Sequence, residues 1–228
     1  MRTLSSAHAG RRRDPVGRDF LFMKATQIVF ITGTDTAVGK TVFATLATIH
    51  LRQCGVRVAA LKPLCSGGRE DARFLWAAAG KVLPLNEVNP WYFRVPLAPV
   101  LGARRQGKRV RLREVVQQIK RVAKRFEAVV VEGAGGLLSP MGEDFDSRDL
   151  LLALGATPVI VTANRLGAVN QARLALEALP RAVRSKARIV LVEPPKPDAA
   201  SRTNVDLLTE FVSPKQIRVM PWVKVNSK

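Results

Sequence analysis

The sequence contains little cysteine and little histidine, and both shortages narrow the classes of protein to which it can belong. Two cysteines, Cys54 and Cys65, and two histidines stand among 228 residues. Two scattered thiols cannot build a disulfide framework, and their spacing does not fit a metal site. We expect a reducing, cytoplasmic setting in which Cys54 is a small core residue and Cys65 is not catalytic.

Long hydrophobic runs are also missing. The longest apolar stretches, such as residues 128–131 and 158–163, are the size of a strand. A membrane-spanning helix needs about 20 apolar residues, so we expect no membrane partner. The apolar fraction of 47% is nevertheless enough for a substantial core.

Acidic residues are scarce as well. There are 18 aspartates and glutamates against 37 lysines and arginines, which gives a formal net charge of +19. Such a balance raises the chance of a polyanionic partner. The basic residues are densest over 104–126, where apolar residues recur every three or four positions and predict an amphipathic helix with a solvated basic face. No RNA-binding, zinc-finger or helix-turn-helix pattern accompanies them, so we expect a basic surface and no nucleic-acid partner.

Strand-like and helix-like segments alternate from residue 27 onward. Apolar, β-rich runs predict strands at residues 27–32, 57–61, 128–131, 158–163 and 188–192. Helical periodicity falls at residues 40–53, 70–79, 112–126, 170–179 and 204–211. The strands are continuous apolar runs, which suits strands buried on both faces. The pattern predicts an α/β fold with a mostly parallel central sheet flanked by helices.

Residues 1–22 differ from the remainder in having an arginine run and almost no apolar periodicity. They lack the apolar segment of a secretory signal, and Asp14 and Asp19 do not suit an organellar transit peptide. We predict that 1–22 is a disordered basic extension, or that the natural start is Met23, and that 23–228 forms a single domain.

A glycine-rich segment follows the first predicted strand and opens a helix; it reads GTDTAVGKT over residues 33–41. Its end, Gly39-Lys40-Thr41, places backbone N–H groups and a helix N-terminus where phosphate oxygens bind. Lys40 is expected to reach the β- and γ-phosphates, and the Thr41 hydroxyl to ligate Mg²⁺. The common pattern has glycine where this chain has Thr34, so the segment is a variant P-loop. It predicts nucleotide binding in a P-loop NTPase-like fold.

Two further candidates follow the second predicted strand. Lys62 stands at the end of that strand before a proline, where it could neutralise a phosphoryl group or a carboxylate-like nucleophile. A Lys-Pro pair can also simply end a strand. Asp71 is either a first-turn helix residue favoured by the helix dipole or a metal ligand, and Glu70 competes for the same role.

The third predicted strand ends in an acid and small residues, reading VVVEGAGG over 129–136. An acid at this place is what a Walker-B-type Mg²⁺ ligand requires, and it emerges at the same edge of the sheet as Thr41. The glycines that follow let the backbone approach phosphate closely. We therefore predict that Glu132 is a metal ligand.

In chain order, these segments resemble the dethiobiotin synthetase family. That family carries GTDT-x-VGKT, KP-x-x-SG and VEGAGG, which stand here at 33–41, 62–67 and 131–136, and a late Pro-Trp, here Pro221-Trp222. Its VNP-x-x-F segment and its LG-x-x-N turn are matched at residues 88–93 and 166–170. The resemblance extends from residue 27 to residue 222.

The resemblance implies a homodimeric, ATP- and Mg²⁺-dependent ligase of biotin biosynthesis. It would close the ureido ring of dethiobiotin from 7,8-diaminononanoate, CO2 and ATP, through a carbamate and a carbamic-phosphoric anhydride. Lys40 and Lys62 would be catalytic, and the Gly167–Asn170 turn would come from a second copy of the chain. The resemblance also implies ATP binding by Thr36, Ala37, Val38, Gly39, Lys40, Thr41, Asp71, Glu132, Gly133, Ala134, Gly135, Pro221 and Trp222; substrate binding by Thr36, Ser66, Gly167, Ala168 and Asn170; and Mg²⁺ binding by Thr41, Asp71 and Glu132.

The chain departs from the family after the fifth predicted strand, where many members have Asn-Asp near the adenine and this chain has Glu193-Pro194. Asn204 is a candidate substitute. Two other readings remain. An amidotransferase that makes cobyrinic acid diamides would need a glutaminase domain, for which there is no room. A partition or septum-site ATPase, which binds DNA or membrane, would carry a lysine in the loop where this chain has Asp35.

Overall fold

The computed structural model describes residues 26–224, and the prediction for residues 1–22 lies outside them. Eight strands and nine α-helices lie within the described part of the chain. The strands are β1 Gln27–Gly33, β2 Val58–Leu61, β3 Leu64–Ser66, β4 Trp91–Phe93, β5 Ala128–Gly136, β6 Thr157–Ala163, β7 Arg188–Val192 and β8 Ile217–Met220. The helices are α1 Lys40–Gln53, α2 Glu70–Ala78, α3 Leu85–Val88, α4 Pro99–Arg105, α5 Leu112–Ala123, α6 Ser147–Leu154, α7 Ala168–Glu177, α8 Arg181–Arg184 and α9 Ala199–Thr209.

Six strands form one parallel sheet in the order β2-β5-β1-β6-β7-β8, and β3 and β4 form a small parallel pair beside it. Strand β1 lies at the centre between β5 and β6, with Ile31 opposite both Glu132 and Val159. The predicted fold class, an α/β fold with a parallel sheet covered by helices, is confirmed.

Alternate residues of the central strands face two separate parts of the core, because successive side chains in a strand point to opposite faces. Phe30 and Val131 pack against residues of α5, α6, α7 and α9 on one face of the sheet. Ile31 and Val130 pack against residues of α1 and α2 on the other. Both faces of β1 and β5 are therefore buried, which explains why these strands read as continuous apolar runs.

The sequence reading missed several short elements and misplaced some boundaries. The edge strand β8 was missed because only its two end residues are buried, which leaves no apolar run. Helix α5 ends at Ala123, earlier than predicted, and α7 begins at Ala168. Helix α9 begins at Ala199 because Asp198 and Ser201 form a capping box inside the proline-rich loop, a start signal that the prediction overlooked.

The parallel sheet brings the carboxyl ends of β1, β2 and β5 to one edge, and the loops that follow them are adjacent there. Those loops begin at Thr34, Lys62 and Leu137, next to the segments that the sequence analysis selected. No helix within residues 26–224 is long and apolar enough to cross a membrane.

Helix α6 packs closely against this edge of the sheet. A β-carbon added to Gly133 would lie 3.1 Å from the Ser147 hydroxyl at the start of α6, so helix and strand approach closely. The Asp146 side chain caps the helix by accepting a hydrogen bond from the Asp149 amide at 2.9 Å. A cap of this kind fixes where the helix begins.

We expect Asp146→Ala to lower the free energy of unfolding by about 1 kcal/mol, because the Asp149 amide loses its acceptor. Asp146→Asn keeps a capping oxygen and should stay close to the parent protein. Urea unfolding followed by circular dichroism measures both. Equal losses in the two variants would mean that the charge, and not the cap, is what stabilises α6.

Candidate active site

The loop between β1 and α1 has the backbone conformation of a phosphate-binding turn. Gly39 adopts φ 98° at the N-cap of α1, and no side chain caps that helix. The first amides of α1 are thus free to donate to an anion. Gly33 is required because a β-carbon there would lie 2.8 Å from Val38 Cγ2 and 2.9 Å from the Asp35 carbonyl. Ala37 also has a positive φ of 59°.

Lys40 is held inside this loop. Its side chain is buried, and Nζ donates to the Asp35 carbonyl oxygen at 2.6 Å. Burial, together with repulsion from Lys62, lowers the pKa of Lys40 to about 8. An anionic phosphate would offset both effects, so the loop favours a negatively charged ligand beside this ammonium group.

Lys62 is the central cation of the site. Its Nζ donates to Glu132 Oε1 at 2.6 Å and to the Gly133 carbonyl at 2.9 Å, and it lies 3.0 Å from Asp71 Oδ2. Burial opposes the charged form, but the carboxylates of Glu132 and Asp71 outweigh it and raise the pKa of Lys62 above its usual range. Lys62 is therefore charged, and its side chain is positioned by three partners.

Three side chains that could supply oxygen ligands to a metal, those of Thr41, Asp71 and Glu132, lie around this ammonium group. Thr41 Oγ1 donates to Glu132 Oε1 at 2.9 Å. Glu132 is completely buried, and its Oε2 has no hydrogen-bond partner among the described residues. Burial tends to raise the pKa of Asp71, but Lys62 outweighs it and lowers that pKa. Two carboxyl groups, one with an unsatisfied oxygen, and a hydroxyl form a donor set suited to Mg²⁺.

This donor set is incomplete without further ligands. Within residues 26–224, no group of three or more histidine, cysteine, aspartate or glutamate side chains is arranged to hold a metal. Magnesium prefers six oxygens and shares its coordination with water and substrate phosphates. The residues present therefore fit a metal that arrives with a nucleotide, and they do not fit a permanent metal site.

The charged cluster opens into a cavity of about 800 Å³. The phosphate loop and Lys62 form one side, and the segment Pro96–Pro99 with Leu64 forms an apolar side. Ser66 also lines the cavity, and its buried Oγ has no hydrogen-bond partner in the described structure. The cavity can thus accept a small molecule with an apolar chain and polar groups near Lys62 and Ser66.

Cys65 lines the same cavity but is not an activated nucleophile. Burial raises the pKa of its thiol to about 11, and Sγ donates to the Gly68 carbonyl at 2.8 Å. The protonated thiol is a weak nucleophile.

A second cavity, of about 290 Å³, lies on the other side of the phosphate loop. Ala37, Gly39 and Val42 line both cavities. Its remaining walls are Val38, Ala163, Asn164, Arg165, Val192, Glu193, Pro194, Met220, Trp222 and Val223. The two cavities and the loop between them have the layout of a bipartite ligand site, with the phosphate-binding turn in the middle.

A family model described as an AAA domain matches residues 27–227. The ATP-dependent dethiobiotin synthetase of Anaeromyxobacter dehalogenans (strain 2CP-C) is 38% identical over 199 residues, which cover 85% of this chain and 89% of that protein. The chain belongs to the ATP-dependent dethiobiotin synthetase family. The synthetase of Bacillus licheniformis (strain ATCC 14580) is 34% identical over 198 residues, covering 84% of each chain.

Among solved structures, a ParA family ATPase from Chlorobium tepidum superposes with a TM-score of 0.54 and 15% identity, covering 88% of this chain and 86% of that one. At this identity the likeness shows a common fold and nothing further. The synthetase relatives, and not this neighbour, therefore decide between a dethiobiotin synthetase and a partition or septum-site ATPase.

Most residues expected to act in a dethiobiotin synthetase meet in the large cavity. Those that line it are Thr36, Ala37, Gly39, Lys40, Thr41, Lys62, Ser66, Asp71, Glu132, Ala134 and Gly135. Val38 and Trp222 line the small cavity. Gly133 contributes its carbonyl to Lys62.

Other expected residues lie apart from both cavities. Gly167, Ala168 and Asn170 stand at the start of α7, after β6, and line neither cavity. Pro221 also lines neither. Asn204 does not take the place of the family's purine contact, because its side chain donates to Asn164 Oδ1 and to the Arg165 carbonyl behind the small cavity.

The sequence reading missed several residues of this synthetase site. Ser139, Pro140 and the segment Pro96–Pro99 line the large cavity, and Asn164 lines the small one. Asn164 directly follows β6, the same position relative to its strand that drew attention to Lys62. A polar residue after a buried strand was thus an available signal. The proline segment gave none, because it comes from a loop distant in sequence.

In the nucleotide-free protein, we expect Lys40 to make a contribution to the free energy of unfolding that rises between pH 8 and pH 10.5. The pKa of Lys40 in the folded protein, about 8, lies below the ordinary lysine pKa of 10.5. In that window the unfolded chain binds more protons, so each pH unit adds up to about 1.4 kcal/mol of stability.

The difference in slope between the parent protein and Lys40→Gln, measured by urea unfolding at a series of pH values, isolates this contribution. Lys120→Gln, which removes an exposed lysine from α5, is the matched control. Parallel stability curves for the parent protein and Lys40→Gln would contradict the lowered pKa.

Proposed function

We propose that the chain is an ATP-dependent dethiobiotin synthetase of biotin biosynthesis that uses Lys62 as the charge-stabilising group of the reaction. The observation that carries this proposal is the Lys62 ammonium group, fixed by Glu132 and Asp71 where the phosphate loop meets the large cavity. This chain matches curated relatives over most of their length, and those relatives are named ATP-dependent dethiobiotin synthetases. Their names support the same reaction.

The reaction joins 7,8-diaminononanoate, CO2 and ATP. One amine of the substrate takes up CO2 as a carbamate, losing a proton. A carbamate oxygen then attacks the γ-phosphorus and ADP leaves. The second amine attacks the carbonyl carbon of the resulting anhydride, the ureido ring closes, and phosphate departs with its bonding electrons while the amine releases a proton.

The steps of this reaction develop negative charge between the carbamate and ATP. Lys40 and Lys62 would act on that charge. The α1 amides and Lys40 would hold the phosphates of ATP. Lys62 would stabilise charge on the carbamate and on the transferring phosphoryl group. Because Lys62 is already held by three partners, little reorganisation is needed during the reaction.

Thr41, Asp71 and Glu132 would hold Mg²⁺. The unpartnered Oε2 of Glu132 supports this assignment, since a buried carboxylate oxygen without a partner is costly. When bound, the ion neutralises charge on the β- and γ-phosphate oxygens. Asp71 and Glu132 would serve the ion and Lys62 together.

The large cavity would hold the diamine. Its apolar side, formed by Leu64 and the segment Pro96–Pro99, suits an aliphatic chain. Ser66, whose buried hydroxyl has no partner within the described residues, and Thr36 would contact the diamine or its carbamate. Pro221-Trp222 would lie on the nucleotide side, as Trp222 does in the small cavity.

The distal carboxylate of the substrate would bind a second copy of the chain in a homodimer. Gly167 is the N-cap of α7 with φ 89°, and no side chain among the described residues caps that helix, so its first amides are free to bind an anion. Gly167, Ala168 and Asn170 line neither cavity of their own chain, which fits a role in the site of another copy. The two free thiols fit the reducing cytoplasm that we expect.

The function is tested with purified protein, bicarbonate, Mg²⁺ and ATP, with and without 7,8-diaminononanoate. Dethiobiotin detected by mass, with phosphate released in proportion, is the expected result. ATP hydrolysis that is indifferent to the diamine would refute the proposed reaction.

Lys62→Ala should reduce turnover by at least about 100-fold while changing nucleotide affinity less than about tenfold, because its role is in the transition state. Removing an exposed cation in Lys120→Ala should change neither. Steady-state turnover and equilibrium nucleotide binding separate the two quantities. Unchanged turnover in Lys62→Ala would remove this residue from the mechanism.

Glu132→Gln should raise the Mg²⁺ concentration needed for half-maximal turnover, because a side-chain amide is a weaker ligand for Mg²⁺ than a carboxylate. A magnesium titration at saturating ATP measures the shift. The exposed acid Glu210, changed to glutamine, provides the control. Full activity of Glu132→Gln at low Mg²⁺ would contradict the ligand assignment.

A further inference from the structure

The small cavity is the place where a nucleotide held by the phosphate loop would put its base. Ala37, Gly39 and Val42 line both cavities, so phosphates on this loop lie between them. Apolar side chains line the small cavity, among them Val192, Met220 and the half-exposed Trp222. Such a lining suits a flat aromatic ring.

Asn164 is a buried polar residue in the wall of this cavity, and both hydrogens of its side-chain amide are already donated to protein acceptors. Its Nδ2 donates to Glu193 Oε1 at 3.0 Å and to the Ser201 carbonyl at 2.9 Å. Its Oδ1 accepts from Asn204 Nδ2 at 2.8 Å. These partners fix which end of the amide faces Glu193, and neither hydrogen of Nδ2 is left for a ligand.

These contacts of Asn164 determine how Glu193, which also lines the cavity, can form hydrogen bonds. Asn164 can only donate to it, so the side chain of Glu193 must accept at that contact. A carboxylate has acceptors alone to present elsewhere. The contact with Asn164 also restricts the rotation of the Glu193 side chain, because Asn164 is buried and held by its own partners.

We propose that Glu193 selects the base of the nucleotide by accepting a hydrogen bond from its exocyclic amino group. Adenine and cytosine carry an amino group at the corresponding edge, whereas hypoxanthine and uracil carry a carbonyl oxygen. Two acceptors facing each other repel, and the carboxylate would lose its partner. This inference rests on the proposed function, in which a nucleoside triphosphate is the phosphoryl donor.

The test compares ATP with inosine triphosphate, in which a carbonyl replaces the 6-amino group. Equilibrium dissociation constants and kcat/KM are measured for both nucleotides on the full chain. We expect the parent protein to favour ATP by roughly 10- to 100-fold, the range for one hydrogen bond to a charged group. Comparable affinity for the two nucleotides would overturn the proposal.

Glu193→Gln sharpens the test. Because Asn164 can only donate, the glutamine must turn its oxygen toward Asn164 and its amino group toward the cavity. The variant should therefore bind inosine triphosphate better than the parent does and ATP worse, shifting the ratio by at least about tenfold. The matched control, Glu210→Gln, alters an exposed acid at the end of α9 and should leave the ratio unchanged.

The outcomes separate this inference from the proposed function. An unchanged ratio in Glu193→Gln, or an equal loss of both nucleotides, would show that Glu193 supports the fold of the cavity and does not select the base. A shifted binding ratio without dethiobiotin formation by the parent protein would refute the reaction while retaining the role of Glu193.

Discussion

The ion pair between Lys62 and Glu132 is the interaction around which the site is organised. A buried carboxylate and a buried ammonium group are each costly alone, and each is tolerated because the other is present. Asp71 and Thr41 attach to this pair from two other segments, α2 and α1. Four segments of the chain are thus tied together at the edge of the sheet.

The fold was largely predictable because its signals are local. Continuous apolar runs identified the five strands that lead into the helices, and the parallel arrangement followed from their alternation with helices. The elements that escaped prediction are those whose stability comes from their neighbours. Strand β8 has two buried residues, and β3 and β4 have three residues each, so pairing and not sequence pattern makes them strands.

The candidate site was predictable to the extent that its residues follow strands. Lys62 and Glu132 could be selected because each ends an apolar run, and the structure places them 2.6 Å apart. The contribution of Pro96–Pro99 could not be anticipated, since it depends on where the short connection between β4 and α4 lies relative to the phosphate loop. Asn204 looked like a ligand contact in the sequence and is instead a support for Asn164. The roles assigned to individual site residues stay predictions.

Within residues 26–224, strand β8 pairs with β7 alone, and the residues that follow β8 supply one wall of the small cavity. An edge strand with a single neighbour belongs to the part of a sheet that opens most readily. The walls of the cavity come together only while this edge is paired, so a ligand bound there would favour the paired edge over the open one. Amide hydrogen exchange along Ile217–Met220 is thus a local measure of how full the cavity is, independent of any chemistry at Lys62.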